Sequence, residues 1–306
     1  MNILDWDKEH ATWPLSQHSR FVLCKPHYWH VQELGAGPPL LLLHGAGGST
    51  HCWQHLIPFL AQNYRVVAID LPGQGFTKLG SQQRCGLAPM AEDIAKLCRV
   101  INLHPVAIIG HSAGTAIALR MAEQVSILKV IGINAALDTF HGIAGILFPI
   151  LAKTIAATPL AATLFSASAS HGNRVARIIE GTGSTLPPSD LALYRRLVTS
   201  RTHVQATLQM MAQWKLGPLL ERLPQNTTET LLIAASGDKA VPPDTSRKAS
   251  SQMPNATYTL LSDLGHLAQE ENASAVAPLI LSALASSEPH QLHSISQRTF
   301  MMAPLT

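Results

Sequence analysis

The chain has 306 residues, 46% of them hydrophobic and only 13% charged, with a formal charge of +3 at pH 7. That length allows one large α/β domain or two small ones, with about three quarters of the unfolded surface hidden on folding. No basic run is dense enough for nucleic acid, and a charge content about half the usual share leads us to expect an apolar exposed surface.

Cys24, Cys52, Cys85 and Cys98 are scattered without a Cys-x-x-Cys pair. Free thiols in a reducing, cytoplasmic compartment are therefore expected. The stretch MNILDWDKEH is charged and lacks the apolar core of a secretion signal, so the chain is not expected to be secreted. Among fifteen histidines, His10, His18, His27, His30, His290 and His293 show no metal-ligand spacing. We expect no metal site and no cofactor.

Residues 1–19 carry Trp6, Trp13 and Pro14 without periodicity and are expected to lie over the surface. Residues 20–34 alternate as an antiparallel hairpin. Leu40-Leu41-Leu42-Leu43 is a continuous apolar run, as a strand covered on both faces requires, and it ends in His44-Gly45-Ala46-Gly47-Gly48. Residues 53–61 read as an amphipathic helix. A strand over 65–70 turns at Asp70-Leu71-Pro72-Gly73-Gln74-Gly75, a helix covers 87–103, and strands follow at 106–109 and 128–133. Strands alternating with helices predict an α/β fold: a mostly parallel sheet with helices on both faces.

From residue 135 to 225 the pattern becomes helical and very apolar, and residues 143–165 carry one charge, Lys153. A membrane span is the competing reading. Pro149 and Pro159 interrupt the run and neither flank is positive, so an inserted helical cap is the better one. Phe140 and Phe148 are its candidate pocket-lining residues. The sheet resumes at 230–235, ending in Ser236-Gly237-Asp238; a last strand covers 257–261, before Gly265-His266, and a helix closes at 272–285. Pro187-Pro188 and Pro242-Pro243 read as turns. The expected organisation is a core of 1–134 and 226–286, a cap of 135–225 and a poorly ordered tail of 287–306.

The stretch with most chemical content is Gly110-His111-Ser112-Ala113-Gly114, between a strand and a helix. A strand turning sharply into a helix needs glycines on both flanks and pushes the apex residue, Ser112, into a strained, exposed position. The helix behind it aims its N-terminal N–H groups at developing negative charge. A serine hydroxyl needs a base, and the base an orienting acid. Asp238 and His266 follow predicted strands, as Ser112 does. Asp263 competes with Asp238, but it sits three residues before His266 on the same loop. The N–H groups of Ala113 and Ala46 are the expected oxyanion donors. His44 and His111 either line the pocket or hold and shape the loops. Asp70 holds a turn, and His51 and Trp53 either line the pocket or pack at a helix start.

With these motifs the chain resembles the α/β-hydrolase superfamily over nearly its whole length, including the order Ser112, Asp238, His266. More narrowly, Ser19-Arg20-Phe21-Val22, Trp29-His30-Val31-Gln32, Ser49-Thr50-His51-Cys52-Trp53 and Asp70-Leu71-Pro72-Gly73-Gln74-Gly75-Phe76-Thr77 resemble the magnesium-chelatase accessory proteins of bacteriochlorophyll biosynthesis (BchO). Within the cap, Ile179-Glu180-Gly181-Thr182-Gly183-Ser184 and Met210-Met211-Ala212-Gln213-Trp214 do so too, as does Gly265-His266-Leu267-Ala268-Gln269-Glu270-Glu271. That family often has His at the positions of Gln74 and Gln269, neither of them in the triad. The resemblance implies a photosynthetic bacterium and a role near magnesium insertion into protoporphyrin, with magnesium chelatase as the implied partner.

Three functions follow as expectations. The first is a serine hydrolase acting on an ester, such as a tetrapyrrole carboxyl ester. The second is a non-catalytic accessory that binds a porphyrin and delivers it to the chelatase. Its apolar surface would also suit peripheral contact with a membrane. The third keeps the fold for C–C hydrolysis or perhydrolysis. Ser112 disfavours dehalogenase and epoxide-hydrolase chemistry, which needs a carboxylate in the elbow.

Overall fold

Eight strands form one sheet in the order β1-β2-β4-β3-β5-β6-β7-β8. They are β1 (Ser19–Cys24), β2 (His27–Leu34), β3 (Pro39–Leu43), β4 (Arg65–Ile69), β5 (Ala107–His111), β6 (Lys129–Ile133), β7 (Glu229–Ala235) and β8 (Ala256–Leu261). The structure is a computed structural model and describes residues 4–138 and 173–286. β2 pairs antiparallel with β1 and β4, and the other pairings are parallel. The expected hairpin and mostly parallel sheet are both present.

Side chains alternate across the sheet. Leu41 and Leu43 enter a core with helices α1 (Leu87–Val100) and α2 (Ala113–Ala122). Leu40 and Leu42 enter the opposite core with Trp53, Leu56, Val276 and Ile280. A run of four leucines therefore makes a strand because both its faces are covered. Strand β3 lies between β4 and β5, so the chain reverses direction across the sheet there. The ends of β3 and β5 thus flank the kind of crevice where open α/β sheets bind ligands.

Between β6 and β7 the described residues form α3 (Arg174–Gly181), α4 (Pro188–Thr199) and α5 (Arg201–Gln213). Helix α6 (Pro243–Gln252) joins β7 to β8, and α7 (Ala273–Ala285) closes the chain, its first turn capped by the Asn272 side chain on the N–H of Ala275. The 143–165 segment, Phe140 and Phe148 lie outside the described residues. Among the described residues no helix is long and apolar enough to cross a membrane.

Three local expectations differ from the structure. Residues 53–61 are not one helix but a 3-10 turn, Thr50–Trp53, and a short helix, Ile57–Leu60. Pro58 explains the break, since its ring and missing N–H are tolerated only in a first turn. The apolar face survives: Trp53, Leu56, Ile57 and Leu60 are all buried. The two proline pairs open helices α4 and α6 and do not merely turn the chain. Helix α6 itself has no apolar period. Its buried residues are Thr245, Ser246, Ala249 and Ser250. The N-terminal stretch does not simply lie over the surface: Trp13 is 3% exposed and packs edge-on against Phe76 and His51.

Candidate active site

The turn from β5 into α2 shows why its glycines are needed. Ser112 stands at φ 52° and ψ −118°, a conformation strained for any residue with a side chain. A Cβ on Gly114 would lie 2.1 Å from the carbonyl oxygen of Leu43, and one on Gly110 would lie 2.4 Å from the amide of Thr115. The elbow is therefore pressed against the end of β3. Its backbone is pinned, with the N–H of Ser112 donating to Ile133 O at 2.9 Å and its carbonyl accepting from Ala136 N at 3.2 Å.

The acid and base expected from sequence meet. His266 Nδ1 lies 2.7 Å from Asp238 Oδ2, and the Asp238 side chain is fully buried. The other Asp238 oxygen accepts the N–H groups of Ala240 and Val241, both at 2.8 Å. The carboxylate is thus held by its own loop while it accepts the Nδ1–H of His266. That leaves His266 Nε2 as the nitrogen able to take a proton. Asp263, the competing acid, is absent from this pair. Its backbone N–H bonds the Ser236 hydroxyl at 3.1 Å, and it sits at φ 60°.

The loop after β3 is braced from several sides. His44 is fully buried, with Nδ1–H donating to Gly45 O at 2.7 Å and Nε2 accepting from Leu71 N at 2.9 Å. Both ring nitrogens are engaged, so His44 holds the loop and presents no free nitrogen to a pocket. Gly47 N donates to the Gln74 side chain at 2.7 Å. Asp70 does more than hold its turn: it accepts from Thr50 N at 2.6 Å, Phe76 N at 2.8 Å and His30 Nδ1 at 2.7 Å. Ala46 stays exposed, and among the described residues neither its N–H nor that of Ala113 meets an acceptor. These are the two expected oxyanion donors.

The family model described as "alpha/beta hydrolase fold" matches residues 38–273. The chain belongs to the α/β-hydrolase family. It is 42% identical over 273 residues to the magnesium-chelatase 30 kDa subunit of Rhodobacter capsulatus, an alignment covering 89% of this chain and 96% of that one. Among solved structures, a putative lipase from Acinetobacter baumannii superposes with a TM-score of 0.76 at 20% identity, covering 94% of this chain and 96% of its own. An α/β-hydrolase fold protein from Burkholderia ambifaria gives 0.73 at 21% identity, over 86% and 97%.

Within this α/β-hydrolase, several positioning residues escaped the sequence reading. Asn134, at φ 47°, donates to the carbonyls of Gly265 at 3.0 Å and His266 at 2.8 Å, while its own oxygen accepts from Ala235 N. His111 Nε2–H donates to the same His266 carbonyl at 2.8 Å, so His111 steadies the loop and does not serve as a base. Burial, with His266 adjacent, holds the His111 imidazole well below its usual pKa. The only sequence signal for Asn134 was an Asn at a strand end, where a left-handed turn suits it. Trp53 is fully buried in the core with Leu40 and Leu42. A groove of about 500 Å³ beside the start of α1, lined by Leu87, Pro89, Arg120, Lys215, Leu219 and Arg222, shares no residue with the elbow or the His266–Asp238 pair.

The inserted segment also touches the two loops that carry the acid–base pair. The Ser184 hydroxyl accepts from Leu267 N at 2.8 Å, and Thr182 O accepts from Lys239 N at 3.0 Å. Gly183, at φ 88°, leaves no room for a Cβ, which would lie 1.9 Å from Gly237 O. The Gly-Thr-Gly-Ser turn after α3 therefore clasps the loops of Asp238 and His266 together. Ser184→Ala strands the buried Leu267 N–H and loosens His266. We expect kcat to fall about 10- to 100-fold with KM little changed, since the loss is one of alignment. Ser184→Thr should recover most of it; equal kcat in wild type and Ser184→Ala would refute the clasp.

His203 of α5 makes the second tie. Its Nδ1 accepts from Gly75 N at 3.0 Å and its Nε2–H donates to Gly47 O at 3.2 Å. Burial pushes its pKa down to about 4. A lowered folded pKa means that the unfolded chain binds the proton first. The stabilisation is therefore complete above about pH 6.5 and is lost as pH falls toward 4. Between pH 7 and pH 5 the wild type should lose about 2 kcal/mol relative to His203→Gln. Urea melts of both proteins at the two pH values measure this, and parallel losses would disprove it.

Proposed function

We propose that this chain is a serine hydrolase that cleaves an ester-type bond and works alongside magnesium chelatase in bacteriochlorophyll biosynthesis. The observation that carries the catalytic half is the 2.7 Å His266–Asp238 hydrogen bond beyond the C-terminal ends of β7 and β8, with Ser112 at its strained turn beyond the end of β5. The pathway half rests on the 42% identity to a protein named as a magnesium-chelatase subunit.

In this reading Ser112 Oγ attacks the ester carbonyl carbon while its proton passes to His266 Nε2, and Asp238 stabilises the imidazolium. The N–H groups of Ala46 and Ala113 receive the developing oxyanion. Collapse expels the alcohol, which takes the proton from His266. Water, deprotonated by His266, then attacks the acyl-serine, releases the acid and restores Ser112. In this reading the apolar substrate or porphyrin binds over the strand ends that carry Ser112, Asp238 and His266.

A second reading is favoured by the name of that same relative: a porphyrin-binding accessory in which the triad is incidental. Labelling with a fluorophosphonate, and in parallel with a small sulfonyl fluoride that a narrow entrance cannot exclude, separates the two. Labelling of wild type, lost in Ser112→Ala and His266→Ala, is expected. Folded wild type that labels with neither reagent but binds protoporphyrin as tightly as Ser112→Ala does would overturn the hydrolase.

A further inference from the structure

A buried acid sits where the inserted segment meets the chain that follows His266. Glu270 belongs to the short helix Ala268–Glu271. Its side chain reaches both helix α4 and the Thr50–Trp53 turn. Tyr194 of α4 donates its hydroxyl to Glu270 Oε1 at 2.8 Å and lies 3.4 Å from Cys52 Sγ. A Glu270 carboxyl oxygen is within 4.8 Å of Cys52 Sγ and of a His51 ring nitrogen. Around these groups Leu193 and Leu197 of α4 pack with Trp13 and Leu267 in one apolar cluster. None of the hydrolase steps uses Glu270.

An ionised Glu270 has nothing there to balance it. It is 4% exposed, its Oε2 has no hydrogen-bond partner, and among the described residues no cation pairs with it. The groups that face it are neutral or acidic. On the turn, burial pushes the pKa of His51 down to about 3 and lifts the Cys52 thiol well above its usual range. On α4, burial also lifts the Tyr194 phenol, and Asp190 is an acid already paired with His55 at 2.7 Å. On its own helix, Glu271 is a second acid, occupied by Gly265 N at 2.9 Å and Thr185 N at 3.2 Å. Burial pushes the Glu270 carboxyl up to about 8 against the pull of the Tyr194 hydrogen bond, with Asp190 and Glu271 adding to the push.

We propose that Glu270 is a proton-operated latch: with its proton it ties helix α4 and the Thr50–Trp53 turn to the chain after His266, and on losing the proton in mildly alkaline medium it releases them. The neutral carboxyl keeps the Tyr194 hydrogen bond on Oε1 and leaves only an uncharged Oε2 in a dry seam. The carboxylate would leave a charge there without a countercharge, which costs far more. Water that enters to meet that charge has to part α4 from the turn. The folded value of about 8 lies above the ordinary glutamate value of about 4.3, so the unfolded chain gives up the proton first. Relative to a neutral residue, the folded state therefore loses about tenfold in its folding equilibrium for each pH unit between about 5 and about 8, and little more above that.

Glu270→Gln keeps the shape and the acceptor for Tyr194 but cannot ionise. Urea melts of the full chain at pH 5.5 and pH 7.5 should show the wild type losing about 50- to 100-fold in folding equilibrium constant relative to this variant. Infrared spectra of the wild type should carry a protonated-carboxyl band at pH 7 that fades as pH passes about 8 and is absent from Glu270→Gln. Tyr194→Phe removes a hydrogen bond that favours the carboxylate, so there the band should fade at higher pH. Native-state alkylation of Cys52 reads the opening itself. Taken as a ratio of wild type to Glu270→Gln, so that thiol ionisation cancels, it should rise about tenfold between pH 7 and pH 9, as the ionised fraction of Glu270 does. The same ratio for Cys85 should stay flat. Parallel losses in the melts, no band in wild type at pH 7, a band that Tyr194→Phe leaves unmoved, or a flat Cys52 ratio would each overturn the latch. Should Glu270→Gln fail to fold, the band in wild type and Tyr194→Phe still decides. None of these readouts uses hydrolase activity, so their failure leaves the proposed reaction standing.

Discussion

Asp238→Asn is expected to lower turnover of an activated ester about 10⁴-fold while the protein remains folded. The reason is a count of donors and acceptors. Asp238 Oδ1 accepts two backbone N–H groups from Ala240 and Val241, and Oδ2 accepts from His266. An asparagine has one acceptor to offer. If its oxygen keeps the backbone pair, its NH₂ faces His266 Nδ1 and forces the proton onto Nε2, so His266 no longer accepts the proton of Ser112. If the amide flips, the part-buried N–H groups of Ala240 and Val241 lose their acceptor and face another donor. Asp263→Asn is the matched control: its backbone site suits asparagine, and turnover should not change. Measured kcat for the two variants decides the matter. A tenfold or smaller loss in Asp238→Asn, or a comparable loss in Asp263→Asn, would remove Asp238 from the role.

The second large effect is on stability. Gly114→Ala places a methyl group 2.1 Å from Leu43 O and 2.8 Å from His44 O. Neither atom is free to retreat, because β3 is hydrogen-bonded to strands on both sides and His44 is held at both ring nitrogens. We expect a loss of about 3–5 kcal/mol, at the severe end for a single substitution. Gly181→Ala should do the opposite. Gly181 ends helix α3, and a methyl group there would meet nothing within 4 Å. Alanine there reduces the freedom of the unfolded chain and should add about 0.5–1 kcal/mol. Denaturant melts of both variants test the pair. A Gly114→Ala protein as stable as wild type would mean that the elbow is not pressed against β3.

The contrast between these two glycines also marks how far the sequence could be read. Gly110-His111-Ser112-Ala113-Gly114 was legible because its requirement is local: a short apolar strand, a glycine-flanked turn and a helix lie within one continuous stretch. Buried parallel strands were legible for a related reason. With both faces covered they become apolar runs, as at Leu40-Leu41-Leu42-Leu43. Helix α6 was not, because its buried face is made of Thr245, Ser246, Ala249 and Ser250, which carry no hydrophobic period.

The sequence by itself therefore determined the α/β class, the alternation of elements and the residue types available for nucleophile, base and acid. Tertiary structure decided which of two aspartates reaches His266, that His44 and His111 spend their ring N–H groups on backbone carbonyls, and that Asn134, Ser184 and His203 hold the loops in place. The contacts of His111, Asn134, Ser184 and His203 join positions far apart in the chain. Local patterns report what a segment does with its own backbone and its own buried face. A hydrogen bond across the fold depends on where the sheet and the inserted helices bring two loops together.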